Sequence, residues 1–436
     1  MNGTRKARRP QRNEGCPSLE CLETRTLLTR HRLLAAQVAI PADPGRAIPA
    51  QTYLQGSPTS AFDTLIGATQ TRVDYQVDGT GLTAAVIDAG VNYRHEALGG
   101  SIGPNSKVKG GYDFADQRAD PIATSMQHGT AVAGLIASQD PNHLGVAPGA
   151  GIVALRVFDD SNRSPRGFEP IAEALQWVID HHQQYNITVV NLSITDGKNY
   201  ELDFYSHDHG IGQRIASLVQ QLEALNIPVV TAAGNSFDSA TKEQGMGFIA
   251  ILPDTISVTA TDGSDRLLPN AQRLGQQEGG DSATDLAAPG SGLIAPVQGN
   301  QFTTVDGTSF SAPIVTGAVL LLQQIYWSRF HQLPSVADLD HWLKAGADPI
   351  TDPTTGVTLG RLDIPKAAAQ IPPAPDSSSG PSSPIRETEL IIDGKPRGKV
   401  RSDSPENPLS DFPALPGGRG AFSTVEVWSA VPAGSD

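Results

Sequence analysis

Gly307-Thr308-Ser309-Phe310-Ser311-Ala312-Pro313 runs directly into Ile314-Val315-Thr316-Gly317-Ala318-Val319-Leu320-Leu321-Leu322. A short polar turn led by glycine thus feeds a helix that is apolar almost all round, and such a helix is buried. Pro313 falls about one turn in, close to where a helix start still tolerates a missing N–H. Ser309 then stands at or just before the N-terminus of a buried helix. The free backbone N–H groups and the positive dipole end favour negative charge there. A hydroxyl that must become a nucleophile gains from that position, as does an oxyanion forming beside it. Taken alone, the turn reads equally as an N-capping serine on a core helix, so the decision lies upstream.

Upstream, short apolar runs alternate with amphipathic ones. Leu82 to Ile87 is strand-like and stops at Asp88-Ala89-Gly90; Ile152 to Phe158 is a second strand. Glu169 to Tyr185 reads as a helix, with Ile171, Ala174, Leu175 and Val178 on one face at spacings of three and four. Strand Ile187 to Ile194, helix Ile211 to Leu225 and strand Ile227 to Ala233 follow. Helices over Val336 to Ala347 and Ile364 to Gln370 close the region. This alternation specifies an α/β fold in three layers, a mostly parallel sheet flanked by helices. In such sheets functional residues gather at the carboxyl ends of the strands. Asp88, Ser193 and Asn235 all fall at or just past such ends.

Three signals then stand in one order: Asp88-Ala89-Gly90, His128-Gly129-Thr130 and Gly307-Thr308-Ser309. Singly they read as a turn, a surface histidine and a cap. Context sharpens them, because Asp88 ends an apolar strand and His128 opens the small-residue helix Ala131 to Ala137. Together they are the parts of an acyl-transfer site. Serine needs a base to accept its proton, and imidazole has the pKa for that near neutrality. A carboxylate fixes the imidazole tautomer and stabilises the imidazolium, the more so at a helix start whose dipole disfavours that cation. A carboxamide such as Asn235 and a backbone N–H can bind the oxyanion.

The ordered motifs resemble those of the subtilisin-like serine proteases, the subtilases of peptidase family S8. The resemblance runs from about Leu65 to Ile371. It rests on Ala85-Val86-Ile87-Asp88, His128 to Gly134, Gly145-Val146-Ala147-Pro148, Asn191-Leu192-Ser193, Ala232-Ala233-Gly234-Asn235 and Gly307 to Pro313. It implies a serine endopeptidase working through an acyl-enzyme, with Asp88 orienting, His128 as base and Ser309 as nucleophile. Asn235 and the Ser309 amide form the oxyanion hole, and Ser193, Ile194, Thr195, Ala233 and Gly234 line the substrate. The chemistry needs no cofactor. The family often binds structural calcium, but no carboxylate-rich loop here names a metal site. Ala89 and Ala131 depart from the family's usual residues without touching a catalytic atom. Ile194-Thr195-Asp196 replaces the family's usual Leu-Gly-Gly, so bulk and a charge fall at a wall of the primary pocket. Asp196 either points into the cleft and favours a basic substrate residue, or caps the turn made with Gly197.

The 436 residues carry a net charge of −14, unevenly spread. Up to residue 32, eight bases face only Glu14, Glu20 and Glu23, so the body is more acidic than the whole. An acidic body argues against nucleic acid as a partner. The basic start reads as a targeting segment. Within it, Leu19 to Leu28 resembles the LExLExR-type start of some large bacterial exported proteins, which implies export to the medium or cell envelope of a bacterium. Both cysteines, Cys16 and Cys21, lie in that leader. No run approaches the roughly 18 consecutive apolar residues of a membrane span. The chain divides into leader and linker (1–61), a peptidase domain (62–371), a Pro/Ser-rich linker (372–386) and a partly disordered tail (387–436) with one hairpin at Leu390–Val400. The stretch between leader and core is shorter than the family's usual inhibitory propeptide. The expected partners are protein or peptide substrates met by a monomer. The rival reading is a non-catalytic scaffold of the same fold that binds peptides or surfaces. Its usual mark is loss of Ser, His or Asp, and all three are present. A serine-carboxyl peptidase needs a glutamate for His128 and an aspartate for Asn235.

Overall fold

Thr83–Asp88 (β1) is the strand about which the sheet changes direction. It pairs in parallel with Gly151–Arg156 (β3) on one side and Ile187–Leu192 (β4) on the other. Val108–Asp113 (β2) lies outside β3. Beyond β4 follow Val229–Ala232 (β5), Ile256–Thr261 (β6) and Leu286–Pro289 (β7), all parallel. Thr358–Arg361 (β11) joins β7, and Asp348–Thr351 (β10) closes the edge antiparallel to it. The sheet has nine strands in the order β10-β11-β7-β6-β5-β4-β1-β3-β2. The chain builds one side of β1 and then crosses to build the other, so the crevice at its carboxyl end is a switch point of the sheet.

The structure, a computed structural model, describes residues 61–123, 127–159, 164, 166–203 and 210–374, and the segments 386–392, 395–402 and 423–426. Residues 1–60 of the leader and linker, with Cys16 and Cys21, and most of the Pro/Ser-rich segment and tail lie outside the described residues. In the tail, Arg386–Ile392 (β12) and Lys395–Ser402 (β13) pair antiparallel, where the sequence reading places a hairpin. Ser423–Glu426 (β14) pairs with β12 as well.

Strand alternation sorts the side chains into two cores. Ala84 and Val86 of β1 belong to a cluster with helices His128–Ala137 (α3) and Thr308–Phe330 (α6), whereas Ala85 and Ile87 belong to a second cluster. That second cluster holds the buried faces of Glu169–Tyr185 (α4) and Ile211–Ala224 (α5). Helix, sheet and helix make the three layers expected. Ala61–Ile66 (α1), Ala68–Tyr75 (α2), Val336–Gly346 (α7) and Ile364–Ala369 (α8) complete the α6 side.

The apolar helix α6 packs across β4 to β7 and against α3. By length and hydropathy it could cross a membrane, but almost all of its apolar stretch is buried within the protein. It is the core helix of the α6 side. Three polar side chains fix its register through four hydrogen bonds. Thr316 Oγ1 meets Asn191 Oδ1 at 2.9 Å, and Gln323 Nε2 donates to the Thr188 carbonyl at 2.8 Å. Gln324 Oε1 accepts from the amides of Asp78 (2.9 Å) and Gly79 (2.6 Å). Apolar packing is non-directional, so these bonds decide where along its axis the helix stops.

The sequence reading names no element between Asn235 and Gly307. The structure places β6 and β7 there, then a hairpin of Leu293–Pro296 (β8) and Phe302–Val305 (β9). β6, Ile-Ser-Val-Thr-Ala-Thr, is wholly buried despite three hydroxyls. Ser257 pairs with Asp285 and Thr259 Oγ1 donates to the Gln272 carbonyl, so those two hydroxyls enter the interior with partners.

Candidate active site

Asp88 shares the parity of Ala84 and Val86, so its side chain leaves β1 on the face covered by α3 and α6. His128 is the first residue of α3, and Ser309 the second of α6. Asp88 and His128 meet at the switch point, and the residue after Ser309, Phe310, lies against the His128 ring. The His128 Nδ1 lies 2.8 and 2.9 Å from the two carboxylate oxygens of Asp88. A carboxylate can only accept, which assigns the proton to Nδ1 and leaves the Nε2 lone pair free. The amide of Ala89 donates to Asp88 Oδ1 as well, at 2.6 Å, and holds the buried carboxylate in place. Burial lowers the imidazole pKa, but the charge and hydrogen bond of Asp88 outweigh it and raise the pKa above 6.5.

Ser309 is half-buried at the head of α6. Its hydroxyl donates to the Ser193 carbonyl at 3.3 Å. The His128 ring rests on Phe310, with centroids 5.1 Å apart. Gly307 precedes the helix at φ 125°, a left-handed region that L residues rarely adopt.

Asn235 is exposed, and its Oδ1 accepts from both the amide (3.0 Å) and the hydroxyl (3.2 Å) of Thr308. Anchoring the oxygen turns the carboxamide N–H₂ the other way. The amide of Gly234 donates in turn to the Thr308 hydroxyl at 3.2 Å. Thr308 was not singled out from the sequence, although it lies inside the quoted Gly-Thr-Ser. The same holds for Thr130, which accepts from the Asn92 amide at 2.9 Å and ties α3 to the loop after β1.

The residues expected to line the substrate fare unevenly. Ser193 lies beside Ser309, but the alternation of β4 continues past its end and sends Ile194 to the opposite core. The bulk expected at the pocket wall is therefore turned away from α6. Thr195 packs against Gly247, leaving no room for a side chain there. The Asp196 carboxylate is committed locally, accepting from the amides of Lys198 (3.1 Å) and Phe248 (3.2 Å) and from the Tyr200 hydroxyl (2.7 Å). It caps its own turn; the other reading, a carboxylate aimed into the cleft, does not hold. Ala233 and Gly234 spend their backbone groups internally. The amide of Ala233 donates to Val258 and its carbonyl accepts from Gly247, and the Gly234 carbonyl accepts from Gln272. They can offer a substrate surface, not hydrogen bonds from those groups.

The model of the subtilase family matches residues 79–357, well over half of the chain. The chain belongs to the subtilase family. Among the relatives of this subtilase is Subtilisin E of Bacillus subtilis (strain 168), 28% identical over 246 residues, which are 56% of either chain. The Major intracellular serine protease of the same strain is 25% identical over 268 residues, 60% of this chain and 75% of that one. The crystal structure of a cold adapted subtilisin-like serine proteinase superposes with a TM-score of 0.51 at 28% identity. It covers 66% of this chain and 90% of that chain. The subtilase thus spans little more than half the length of Subtilisin E. Among the described residues, no group of three or more His, Cys, Asp or Glu is placed to hold a metal ion.

Proposed function

We propose that this subtilase is an exported serine endopeptidase that cleaves protein or peptide substrates through Asp88, His128 and Ser309. The observation that carries the reading is the buried Asp88 carboxylate bonded to His128 Nδ1 at 2.8 Å, at the crevice where α6 presents Ser309. Ser309 Oγ attacks the scissile carbonyl carbon as its proton passes to His128 Nε2. The imidazolium is stabilised by Asp88, which itself stays ionised. The carbonyl oxygen, now an anion, is held by the Asn235 carboxamide and by the Ser309 amide, one of the free N–H groups of the first turn of α6. His128 returns its proton to the leaving amine as the C–N bond breaks, leaving an acyl-enzyme. Water, deprotonated by the same imidazole, then hydrolyses the ester and restores Ser309.

No step requires a cofactor. Residues 62–371 form the peptidase domain in this reading, and the protein acts as a monomer without nucleic acid. Export rests on the leader, whose eight bases and LExLExR-like run precede an acidic body. The test is incubation of the purified protein with casein, with and without a serine-directed fluorophosphonate, followed by mapping of the label. The expected result is hydrolysis blocked by labelling at Ser309, and none by Ser309→Ala. Removing the nucleophile from subtilisin, a relative, costs about a millionfold in turnover. Binding of casein without cleavage by the wild type would instead favour the scaffold reading.

A further inference from the structure

Pro313 lies four residues after Ser309 and has no N–H, so it cannot make the helical hydrogen bond to the Ser309 carbonyl. That carbonyl is nevertheless satisfied. Ser193 Oγ donates to it at 2.7 Å, reaching α6 from the end of β4. The Ser193 oxygen in turn accepts from Asn191 Nδ2 at 2.9 Å, and Asn191 Oδ1 meets Thr316 Oγ1 at 2.9 Å. Asn191 is fully buried and Ser193 is 4% exposed. Alternation along β4 turns both toward α6, while Leu192 and Ile194 face the opposite core. A closed loop results: Thr316 to Asn191, Asn191 to Ser193, Ser193 to Ser309, and back along two turns of helix. The Ser193 main chain touches the same residue again, since its carbonyl accepts the Ser309 hydroxyl at 3.3 Å.

We infer that Ser193 is a positioning residue whose hydroxyl, aimed by Asn191, replaces the helix bond that Pro313 cannot give and so fixes the Ser309 backbone at the head of α6. The inference rests on Ser309 being the nucleophile. A helix's first turn is its loosest part, and removing one of its bonds leaves the Ser309 peptide free to tilt. That carbonyl is attached to the Ser309 Cα, which carries the nucleophile and links it to the preceding peptide, whose N–H is the amide assigned to the oxyanion. A tilt harms both in the transition state, whereas ground-state binding made elsewhere along the substrate is untouched.

The experiment compares wild type, Ser193→Ala, Asn191→Ala and the double variant Ser193→Ala/Pro313→Ala by steady-state hydrolysis of a chromogenic peptide. Second-order rates of fluorophosphonate labelling are measured alongside, and cooperative thermal unfolding confirms folding. Ser193→Ala is expected to lose on the order of ten- to a hundredfold in kcat and in labelling rate. KM should hold within about twofold. Asn191→Ala, which leaves the Ser193 hydroxyl in place but unaimed, should show the same kcat-only loss at smaller size, and it carries the test if Ser193→Ala does not fold. In the double variant the Pro313→Ala change restores an N–H that can bond the Ser309 carbonyl, so most of the lost kcat should return. A kcat for Ser193→Ala within about twofold of wild type, a loss seen in KM alone, or no recovery in the double variant overturns the inference and leaves the proposed function standing. A wild type that neither hydrolyses nor labels removes the proposed function, and the inference falls with it.

Discussion

Gly129→Ala places one methyl group where α3 presses on the end of β1. An ideal Cβ at Gly129 lies 2.3 Å from the Gly90 carbonyl oxygen and 3.0 Å from both Cβ and Oδ1 of Asp88. A carbon–oxygen contact settles at about 3.3 Å or more, so the two backbones must part by roughly 1 Å. Helix propensity alone favours alanine over glycine by up to about 1 kcal/mol. Overpacking costs about 1–3 kcal/mol, and the upper part of that range applies because the struck atom is backbone and cannot rotate away. Sterics win, with a net loss of about 1–2 kcal/mol. The effect on turnover is larger. Asp88 Oδ1 is the atom 2.8 Å from His128 Nδ1, and His128 is the residue before Gly129. A displacement of about 1 Å in a reacting constellation costs on the order of a hundredfold. The assay is kcat/KM on a chromogenic peptide well below the melting temperature, paired with a urea unfolding midpoint. A variant with a raised midpoint and near wild-type kcat/KM would show that helix propensity dominates and that the close approach is not limiting.

Asn235→Ala should lower kcat by about a hundred- to thousandfold, the range seen when one oxyanion donor is removed from subtilisin. KM should barely change, and a raised KM with unchanged kcat contradicts the role. Asp88→Asn removes the charge and carboxylate bond that raise the His128 pKa above 6.5, so burial then lowers it. The acid limb of the pH–rate profile should move to lower pH while kcat falls by about 10⁴-fold; an unmoved limb sinks the assignment. In the wild type the raised pKa contributes stability that is fully present below pH 6.5 and is lost as pH rises through the folded value. Unfolding midpoints across that window should slope downward in the wild type, and in Asp88→Asn that contribution should reverse sign. Asp196→Asn should leave a peptide-library cleavage profile unchanged at low and high salt, because both carboxylate oxygens are already bonded within the loop. A salt-sensitive loss of preference for Lys or Arg would restore the cleft-facing reading.

Much of this subtilase is legible in one dimension because its signals are local. The 3.6-residue period of Glu169–Tyr185 survives in α4 to the residue. The apolar run after Ser309 becomes a helix whose buried residues extend to Ile325. Asp88, His128 and Ser309 could be named as a constellation because each closes or opens an element, and an element's end is written in neighbouring residues. The strands between Asn235 and Gly307 were not legible. They are four to six residues long and rich in Ala, Thr and Pro, and become strands only because β5 and one another offer hydrogen-bond partners. Direction was the other thing left to tertiary structure. Ile194 and Asp196 look like pocket residues in sequence, but strand parity sends the first to the opposite core, and three nearby donors hold the second to its own turn. Likewise Pro313 reads as a tolerated helix proline. Only the packed structure shows the carbonyl it leaves open and the hydroxyl of Ser193 that fills it. Helix periods and motif ends are set by covalent neighbours, whereas a side chain's aim and an orphaned carbonyl's partner are settled by groups distant in sequence that meet on folding.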